Sequence, residues 1–276
     1  GLKPDNTLFV DELKYEVMRR WNDTATWTDS AVPMTCCMVN IPASAAVVMD
    51  GNCDAFTVEI SGLLTNAVST NAVLSAEGVF IRSGGQLIWG TEKEPYLGQG
   101  GILLRGTDAT TNLMNMGMGA KVLGVMNGGK LSLHGRSQKV WTQLDQTAEK
   151  GATNITLKEA VDWKVGDSIV VASTDFNAYQ AEKRAVSAIS TDKKVLSFTG
   201  GLSYMHYGQL QNYTSPSRTF TLDERAEVAV LTRNLYVKGD LDSETNGIGG
   251  HIMVMNGGKS YISNVELYRM GQRKMI

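Results

Sequence analysis

The segment DLDSETN at 240–246 places Asp240, Asp242 and Glu244 at alternate positions. Carboxylate oxygens are ligands that Ca²⁺ prefers, and alternate side chains of an extended segment share one face. The segment is not an EF-hand, because Thr245 stands where that motif has glycine and His251 where it has glutamate. We therefore expect either a calcium site or a solvated acidic loop.

Two further residues are candidates for acid–base chemistry. Asp175 in STDFNAYQAEK follows a predicted strand, and His251 in GGHIMV begins one, so both are candidates to face a groove. Breaking a glycosidic bond needs two placed groups, normally paired carboxylates, or a base with charge neutralisation. The sequence shows no such pair, and a hydrogen-bonded structural role is the alternative for both residues.

Basic and aromatic residues are candidates for ligand binding. Lys183 with Arg184, and Arg269 with Arg273, form short basic clusters, and Tyr179 offers a ring for stacking. The chain has 26 basic and 28 acidic side chains and a net charge of -2, so no global positive field attracts nucleic acid or an anionic membrane. We expect local recognition of a glycan or a protein, with a solvated surface as the alternative.

The cysteines and sequons bear on the compartment. A Cys37–Cys53 disulfide is one option in an oxidising compartment, and Cys36 is the third cysteine. Asn-x-Ser/Thr acceptor sites occur at Asn22, Asn154 and Asn212. The sequence contains no signal peptide and no apolar run of about 18 residues, so we read it as a mature or excised piece with no membrane insertion.

A glycine pair followed by a strand occurs three times. The phrases are RSGGQLIWG at 82–90, MNGGKLSLHG at 126–135 and MNGGKSYISN at 255–264. The second pair begins 44 residues after the first, and the third a further 129, close to two and six turns of about 22 residues. Because glycine supplies the positive φ that corners need, this spacing favours a parallel β-helix over three unrelated hairpins.

The remaining sequence is mostly short, β-branched stretches bounded by Gly, Asn or Asp, such as SIVVAS at 168–173. The exception is 7–21, where Leu13, Val17 and Trp21 recur at helical spacing. We expect this segment to cover the exposed backbone of the first coil, as a helix or as a docked segment that buries these three residues.

The order of motifs resembles a known family. RWNDTATWTDSAVP, GTEKEPYLGQGGILLRG and LSLHGRSQKVWTQLDQ resemble the eight-glycine domain of large extracellular proteins. VDWKVGDSIVVAS and GGHIMVMNGGKSYISNVELYRMGQ resemble the β-helix segment shared by the cell-migration-inducing hyaluronan-binding protein, the transmembrane hyaluronidase and the fibrocystins. The resemblance covers about residues 20 to 272 and implies a right-handed parallel β-helix, an all-β fold.

The resemblance also implies roles and absences. The family's glycines, which have structural roles, correspond here to Gly62, Gly78, Gly84, Gly85, Gly90, Gly101, Gly106 and Gly135. The hyaluronan-degrading members carry a globular insertion before the VDWKVGD-like segment and a His-rich continuation after RMGQ, and this chain has neither. The proposed cleavage residues of that insertion therefore have no counterpart here.

These observations predict a cap at 1–21, an eight-glycine domain at 22–150 and a continuing β-helix at 151–276. We expect an extracellular or cell-surface recognition module that belongs to a larger chain and binds a glycan or a protein. A glycan-degrading enzyme, of the hyaluronidase type or a lyase, is one alternative. A structural rod in a surface fibre is the other.

Overall fold

The protein was analysed as a computed structural model, which describes residues 18–107 and 117–273. It divides into two compact units. The three-sheet unit comprises Gly1–Arg136 and Arg233–Ile276, and the barrel unit comprises Ser137–Thr232. The described residues are mostly strand; α1, Ser243–Asn246, is their single α-helix, and short 3₁₀ turns lie at Thr24–Thr26 and Ala178–Gln180. The prediction of an all-β fold is confirmed.

The three-sheet unit consists of three parallel sheets. The first runs β1 (Met18–Arg20), β3 (Ala46–Met49), β6 (Leu63–Asn66), β9 (Gln86–Trp89), β12 (Lys130–His134) and β23 (Lys259–Ser263). The second runs β24 (Val265–Tyr268), β21 (Leu235–Gly239), β10 (Gly100–Leu104), β7 (Ala72–Ala76) and β4 (Cys53–Asp54). The third runs β2 (Met38–Ile41), β5 (Thr57–Ile60), β8 (Gly78–Ile81), β11 (Val122–Val125) and β22 (His251–Val254).

The chain visits the three sheets in turn, so each circuit lays one strand on each sheet. The predicted spacing of two and six turns is wrong, because β12 pairs directly with β9 on one side and with β23 on the other. Each interval is therefore one circuit. The first interval is longer than 22 residues partly because a long segment separates β10 from β11. The second interval is longer still because it contains the barrel unit. We call these two insertions excursions.

The two glycines of each repeated phrase have different roles. The first glycine has a positive φ in all three phrases: 74° at Gly84, 81° at Gly128 and 76° at Gly257. The second glycine lies against the preceding circuit, since a Cβ on Gly85 would stand 2.0 Å from the carbonyl oxygen of Ile60. Left-handed backbone and a close approach to a carbonyl both favour glycine, which confirms the corner interpretation.

The interior of the three-sheet unit is apolar. Strand residues alternate in direction, and the inward residues form one cluster that includes Ile81, Val125 and Trp89, all with 0% exposure. Val254, the residue equivalent to Ile81 and Val125 in the third phrase, is 47% exposed. Among the described strands, its strand β22 pairs with β11 alone.

The described end of the amino-terminal segment, residues 18–21, is not helical; residues 7–17 of the predicted helix or docked segment lie outside the described residues. Met18–Arg20 is strand β1, which pairs in parallel with β3. Trp21 is fully buried and makes an edge-on contact with Trp27 at 5.0 Å between ring centroids. The burial predicted for Trp21 is thus confirmed, whereas Leu13 and Val17 lie outside the described residues. For Met18–Arg20 the helical spacing did not predict the structure, because these residues pair with the edge of the first sheet.

The barrel unit is antiparallel, which corrects the prediction of parallel coils through this part of the chain. Its six strands run β13 (Trp141–Gln143), β20 (Glu227–Val230), β15 (Ser168–Val171), β16 (Glu182–Ile189), β17 (Val195–Phe198) and β14 (Asn154–Thr156). An antiparallel bridge between Leu144 and Leu157 joins β13 and β14, so the sheet closes on itself. Alternating strand patterns identify strands but not their direction, so sequence alone did not distinguish the two arrangements.

A separate hairpin extends from the barrel unit. Strands β18 (Leu210–Ser215) and β19 (Arg218–Asp223) pair only with each other, and nearly all their residues are exposed. Tyr213 and Phe220 stack on one face with ring centroids 5.3 Å apart. The barrel interior is filled by a second apolar cluster that includes Trp163, Ile169 and Leu196.

Candidate functional site

The acidic segment at 240–246 surrounds a lysine rather than a metal ion. The Lys121 side chain is fully buried, and its Nζ donates to Asp240 Oδ1 at 2.6 Å, Ser243 Oγ at 2.9 Å and the Ile248 carbonyl at 2.9 Å. An ammonium group has three donors, and these acceptors use all of them. Lys121 therefore supplies the cation for the oxygen cluster in which calcium was predicted.

The other two carboxylates of that segment point to different partners. Glu244 Oε1 accepts from Arg269 Nε at 2.6 Å, and Arg269 lowers the pKa of this carboxyl. Asp242 is exposed and adjoins α1, where its carbonyl accepts from Asn246 N–H. Within 18–107 and 117–273, no group of three or more His, Cys, Asp or Glu residues suits a metal ion. The predicted calcium site is not formed.

Asp175 organises an exposed aromatic loop in the barrel unit. Its Oδ1 accepts from the Phe176 N–H at 2.7 Å, and its Oδ2 accepts from Gln180 Nε2 at 3.2 Å. The side chains of Phe176 and Tyr179 project from this loop and are 108% and 94% exposed. We call Ser173–Gln180 the aromatic loop; it contains the predicted catalytic residue Asp175 and the predicted ligand residue Tyr179, whose N–H donates to Asn177 Oδ1 at 3.0 Å.

The predicted basic pair divides between surface and structure. Lys183 is exposed on β16, where it pairs with Val170 of β15. Arg184 donates to the Glu182 carboxylate and to the Gly201 carbonyl, the latter at 3.1 Å. Of the two, Lys183 is exposed to solvent, whereas Arg184 connects β16 to the loop that contains Gly201.

A buried polar cluster that the sequence analysis missed lies beside this strand. Glu182 accepts from the backbone N–H groups of Ser203 and Tyr204 at 2.9 Å and from His206 Nε2 at 3.2 Å. Burial raises the pKa of Glu182, but these hydrogen bonds outweigh it and lower the pKa to about 2. We call Glu182, Arg184 and His206 the barrel lock. His206 is fully buried and its Nδ1 contacts the Ala172 carbonyl at 2.8 Å, so both ring nitrogens face acceptors.

An open depression of about 580 Å³ adjoins the aromatic loop. Its lining is polar and includes Gln143, Ser173, Thr174, Tyr207, Gln211, Asp223, Glu224 and Glu227. Asp223 receives two hydrogen bonds from Arg225, at 2.9 and 2.8 Å, and this pairing lowers its pKa to about 2. The depression thus presents hydroxyl, amide and ionised carboxylate groups, which suit a hydroxyl-rich ligand.

His251 and Arg273 belong to the three-sheet unit and carry backbone contacts. The His251 Nε2 donates to the Met118 carbonyl at 2.8 Å, and Nδ1 is a buried nitrogen with no hydrogen-bond partner among the described residues. Arg273 is exposed, and its backbone N–H donates to the Gly247 carbonyl at 2.8 Å. Asp175 lies in the barrel unit. The structure therefore gives each predicted catalytic residue a separate hydrogen-bonding role.

A tyrosine–cation surface lies on the outer face of the second sheet. Lys238 Nζ stands 4.0 Å from the ring centroid of Tyr236, and the Arg269 guanidinium stands 4.8 Å from that of Tyr268. Lys238 is paired in register with Tyr268 on the adjacent strand. Arg269, predicted to bind ligand, is thus held by Tyr268 and Glu244 in a mixed-charge patch.

The three sequon asparagines are exposed, while the three cysteines are reduced. Asn22 donates to Asp50 Oδ1 at 2.9 Å, Asn154 lies on β14 and Asn212 lies on the exposed hairpin.

The predicted Cys37–Cys53 disulfide is not present, because Cys53 is buried in the core and its thiol donates to the Gly51 carbonyl at 3.3 Å. Burial, with Asp50 and Asp54 nearby, raises the pKa of the Cys53 thiol far above its ordinary value.

Comparison with known proteins places this architecture in a class. Residues 26–145 match the G8 domain model. A G8 domain-containing protein of Dictyostelium discoideum is 31% identical over 269 residues, which are 92% of this chain and 22% of the relative. Fibrocystin-L of Mus musculus is 35% identical over 215 residues, which are 72% of this chain and 5% of the relative.

The chain therefore belongs to the family of G8 domain proteins, as the resemblance of its ordered motifs implied, and fibrocystin-L is among its relatives. It spans less than a quarter of either relative's length. A tailspike of the Acinetobacter baumannii bacteriophage AP22, solved with a capsular saccharide, aligns over 76% of this chain and 30% of its own at 12% identity and a TM-score of 0.27. That likeness is too distant to support an argument. Across the described residues, no helix has the length and apolarity to span a membrane.

Proposed function

We propose that the chain is a non-catalytic recognition module that binds a glycan at the aromatic loop of the barrel unit. The observation that carries this proposal is the exposure of Phe176 and Tyr179, 108% and 94%, on a loop fixed by the Asp175 carboxylate. An aromatic side chain buries about 150–250 Å² when a ligand covers it. A ligand that covers both exposed rings would therefore gain a large part of its binding free energy from them.

A sugar suits this arrangement better than an apolar ligand. The apolar face of a pyranose ring stacks on an aromatic side chain, while its hydroxyl groups need hydrogen-bond partners. The depression beside the loop offers such partners from Ser173, Thr174 and Gln211. The hydrogen bonds of Asp175 hold the loop before the ligand arrives, which lowers the entropy lost on binding.

The carboxylate chemistry supports binding over catalysis. A glycosidase needs a general acid whose pKa is raised toward neutrality. Among the described carboxyl groups, each one whose pKa clearly departs from its ordinary value is lowered, and these are Glu159, Glu182, Asp192, Asp223 and Glu244. These groups are ionised at neutral pH and serve as hydrogen-bond acceptors.

A glycan array probed with the purified chain tests the proposal, followed by calorimetric titration of the ligands found. We expect Phe176→Ala/Tyr179→Ala to weaken binding at least tenfold. Tyr261→Ala, which removes a 48% exposed tyrosine from the three-sheet unit, serves as the matched control and retains full affinity. An unchanged affinity in the double variant would remove the aromatic loop from the proposal.

The glycan-degrading alternative has its own test. The chain is incubated with hyaluronan, with and without calcium, and polymer length is followed by gel electrophoresis. We expect no shortening. Fragmentation that disappears in Asp175→Asn or His251→Ala would replace the recognition proposal with the enzyme.

We also propose that the three-sheet unit is a closed, right-handed parallel β-helix in an extracellular or surface-exposed part of a larger chain. Crossovers between parallel strands of one sheet are right-handed in nearly all proteins, which supports the handedness.

The exposure of Asn22, Asn154 and Asn212 supports glycosylation and secretion. Expression in a secretory host should give a mass that falls on enzymatic deglycosylation. A structural rod remains the alternative if the parent chain repeats these units.

A further inference from the structure

Four sulfur-containing side chains occur within five residues at the start of the three-sheet unit. The sequence PMTCCM brings together Met34, Cys36, Cys37 and Met38. Met34 and Met38 are 64% and 65% exposed, although methionine is normally a core residue. Cys53, by contrast, is fully buried. The exposed sulfurs are therefore accessible in a way that the buried thiol is not.

A tight turn holds the sulfur atoms of Cys36 and Cys37 close together. The Cys37 N–H donates to the Met34 carbonyl at 2.9 Å, and the Met34 N–H donates to Cys37 Sγ at 3.4 Å. Cys36 Sγ and Cys37 Sγ are 3.8 Å apart. Met34, Cys37 and Met38 also line one groove of about 500 Å³, together with Trp27. Met34, Cys37 and Met38 therefore share one groove, and the Cys36 thiol lies 3.8 Å from the Cys37 thiol that lines it.

This geometry matches a metal ion better than a disulfide. Sulfur atoms bound to one ion at about 2.3 Å each, and separated by the distance observed here, subtend an angle of roughly 110° at the metal. Such an angle suits a three- or four-coordinate site that thioethers complete. Thiolate with thioether is the donor set that selects Cu(I), and the N–H to sulfur hydrogen bond stabilises negative charge on a bound thiolate.

We propose that Cys36 and Cys37, assisted by Met34 and Met38, form a binding site for one Cu(I) ion. Binding would replace the thiol protons by the metal, so both protons are released to solvent and no electron is transferred. The site is independent of the proposed glycan function, because it lies in the other unit.

The test is an anaerobic titration of the reduced full chain with Cu(I) in the presence of a competing chromogenic chelator. We expect one Cu(I) per chain to resist the chelator. Cys36→Ser/Cys37→Ser should abolish this retention, and Met34→Leu/Met38→Leu should weaken it by about tenfold. Zn²⁺, which thioethers bind poorly, should bind equally to wild type and the methionine variant.

Two controls keep the result interpretable. Cys53→Ala removes the buried thiol, and Met255→Leu removes a methionine that is 40% exposed elsewhere in the unit. Both should retain Cu(I) as wild type does, with circular dichroism confirming that every variant is folded. Full retention by the double serine variant would overturn the proposal. A Cys36–Cys37 disulfide that resists reduction, or the absence of copper retention by wild type, would also overturn it.

Discussion

The three-sheet unit and the barrel unit reach stability by different means. Repetition specifies the first: parallel strands stack in register, glycines form the corners and apolar side chains fill the interior. The barrel unit also has an apolar interior, but it encloses the barrel lock, in which Glu182 and His206 are 5% and 0% exposed. Its aromatic loop and depression adjoin that lock through Ala172 and Ser173.

The difference explains how one unit accommodates the other in its sequence. The register of β12 with β9 and with β23 is continuous, although far more chain separates the second pair than the first. Loop-closure entropy grows only logarithmically with length, so a long excursion adds little to the free energy of closing a circuit. The stack therefore tolerates an inserted unit that folds around its own core, and this unit is free to carry a binding surface.

The largest expected effect comes from breaking the barrel lock. Glu182→Ala leaves the buried His206 and the backbone N–H groups of Ser203 and Tyr204 without their acceptor, and we expect a loss of about 3–5 kcal/mol in the free energy of unfolding. Hydrogen exchange followed by mass spectrometry should show the loss of protection in 137–232.

A surface variant provides the control for this prediction. Lys183→Ala changes the exposed neighbour of Glu182 on the same strand, and its effect should stay within about 0.5 kcal/mol. Equal loss of protection in both units after Glu182→Ala would contradict the view that the two units are stabilised separately.

A pair of adjacent glycines tests the repetitive unit. A Cβ at Gly85 would lie 2.0 Å from the Ile60 carbonyl oxygen, whereas a Cβ at Gly84 has open space but a φ of 74°. We expect Gly85→Ala to destabilise the chain by about 3 kcal/mol through overpacking. Gly84→Ala should be milder, at about 1 kcal/mol, because only the backbone conformation is strained. Chemical denaturation compares the two, and equal losses would show that close approach is not what the second glycine provides.

The sequence predicted the repetitive unit better than the inserted one, for physical reasons. Corner glycines and alternating strand residues are local signals. The sequence therefore predicted the strands and the role of Gly84 as a corner with positive φ. The barrel lock joins Glu182 to His206 across 24 positions, and the buried ion pair joins Lys121 to Asp240 across 119. No local pattern encodes such contacts, and the acidic segment alone therefore resembled a calcium site. Likewise, the spacing of the glycine pairs gave no indication that the intervals contained excursions.

The two units should also differ in how their stability depends on pH. The pKa of Glu182 falls from an ordinary 4.5 to about 2 in the folded protein. A carboxyl with a depressed folded pKa stabilises the fold fully above its unfolded pKa, and this contribution is lost as the pH falls through the folded value. Asp223, Glu159 and Asp192, also in the barrel unit, have lowered pKa values, whereas Glu244 is the one such carboxyl described in the three-sheet unit.

We therefore expect the barrel unit to lose stability between pH 4.5 and 2 before the three-sheet unit does. Denaturation at a series of pH values, read by hydrogen exchange in each unit, measures this order. Glu182→Gln should flatten the dependence for the barrel unit. Acid lability that begins in the three-sheet unit would contradict the assignment.

The smallest expected effect on stability comes from the aromatic loop. Phe176 and Tyr179 are almost completely exposed, so their rings bury little surface in the folded chain and contribute little to folding. Phe176→Ala/Tyr179→Ala should change the free energy of unfolding by no more than about 0.5 kcal/mol, as measured by urea denaturation. Asp175→Ala should also be mild, but it should increase hydrogen exchange at the loop, because the Phe176 N–H and Gln180 lose their acceptor. A larger loss in the double variant would mean that the rings stabilise the fold, and the case for a binding surface would weaken. Unchanged stability together with lost glycan binding would show that the aromatic loop serves recognition. It would also show that the barrel unit positions this loop but does not need its rings in order to fold.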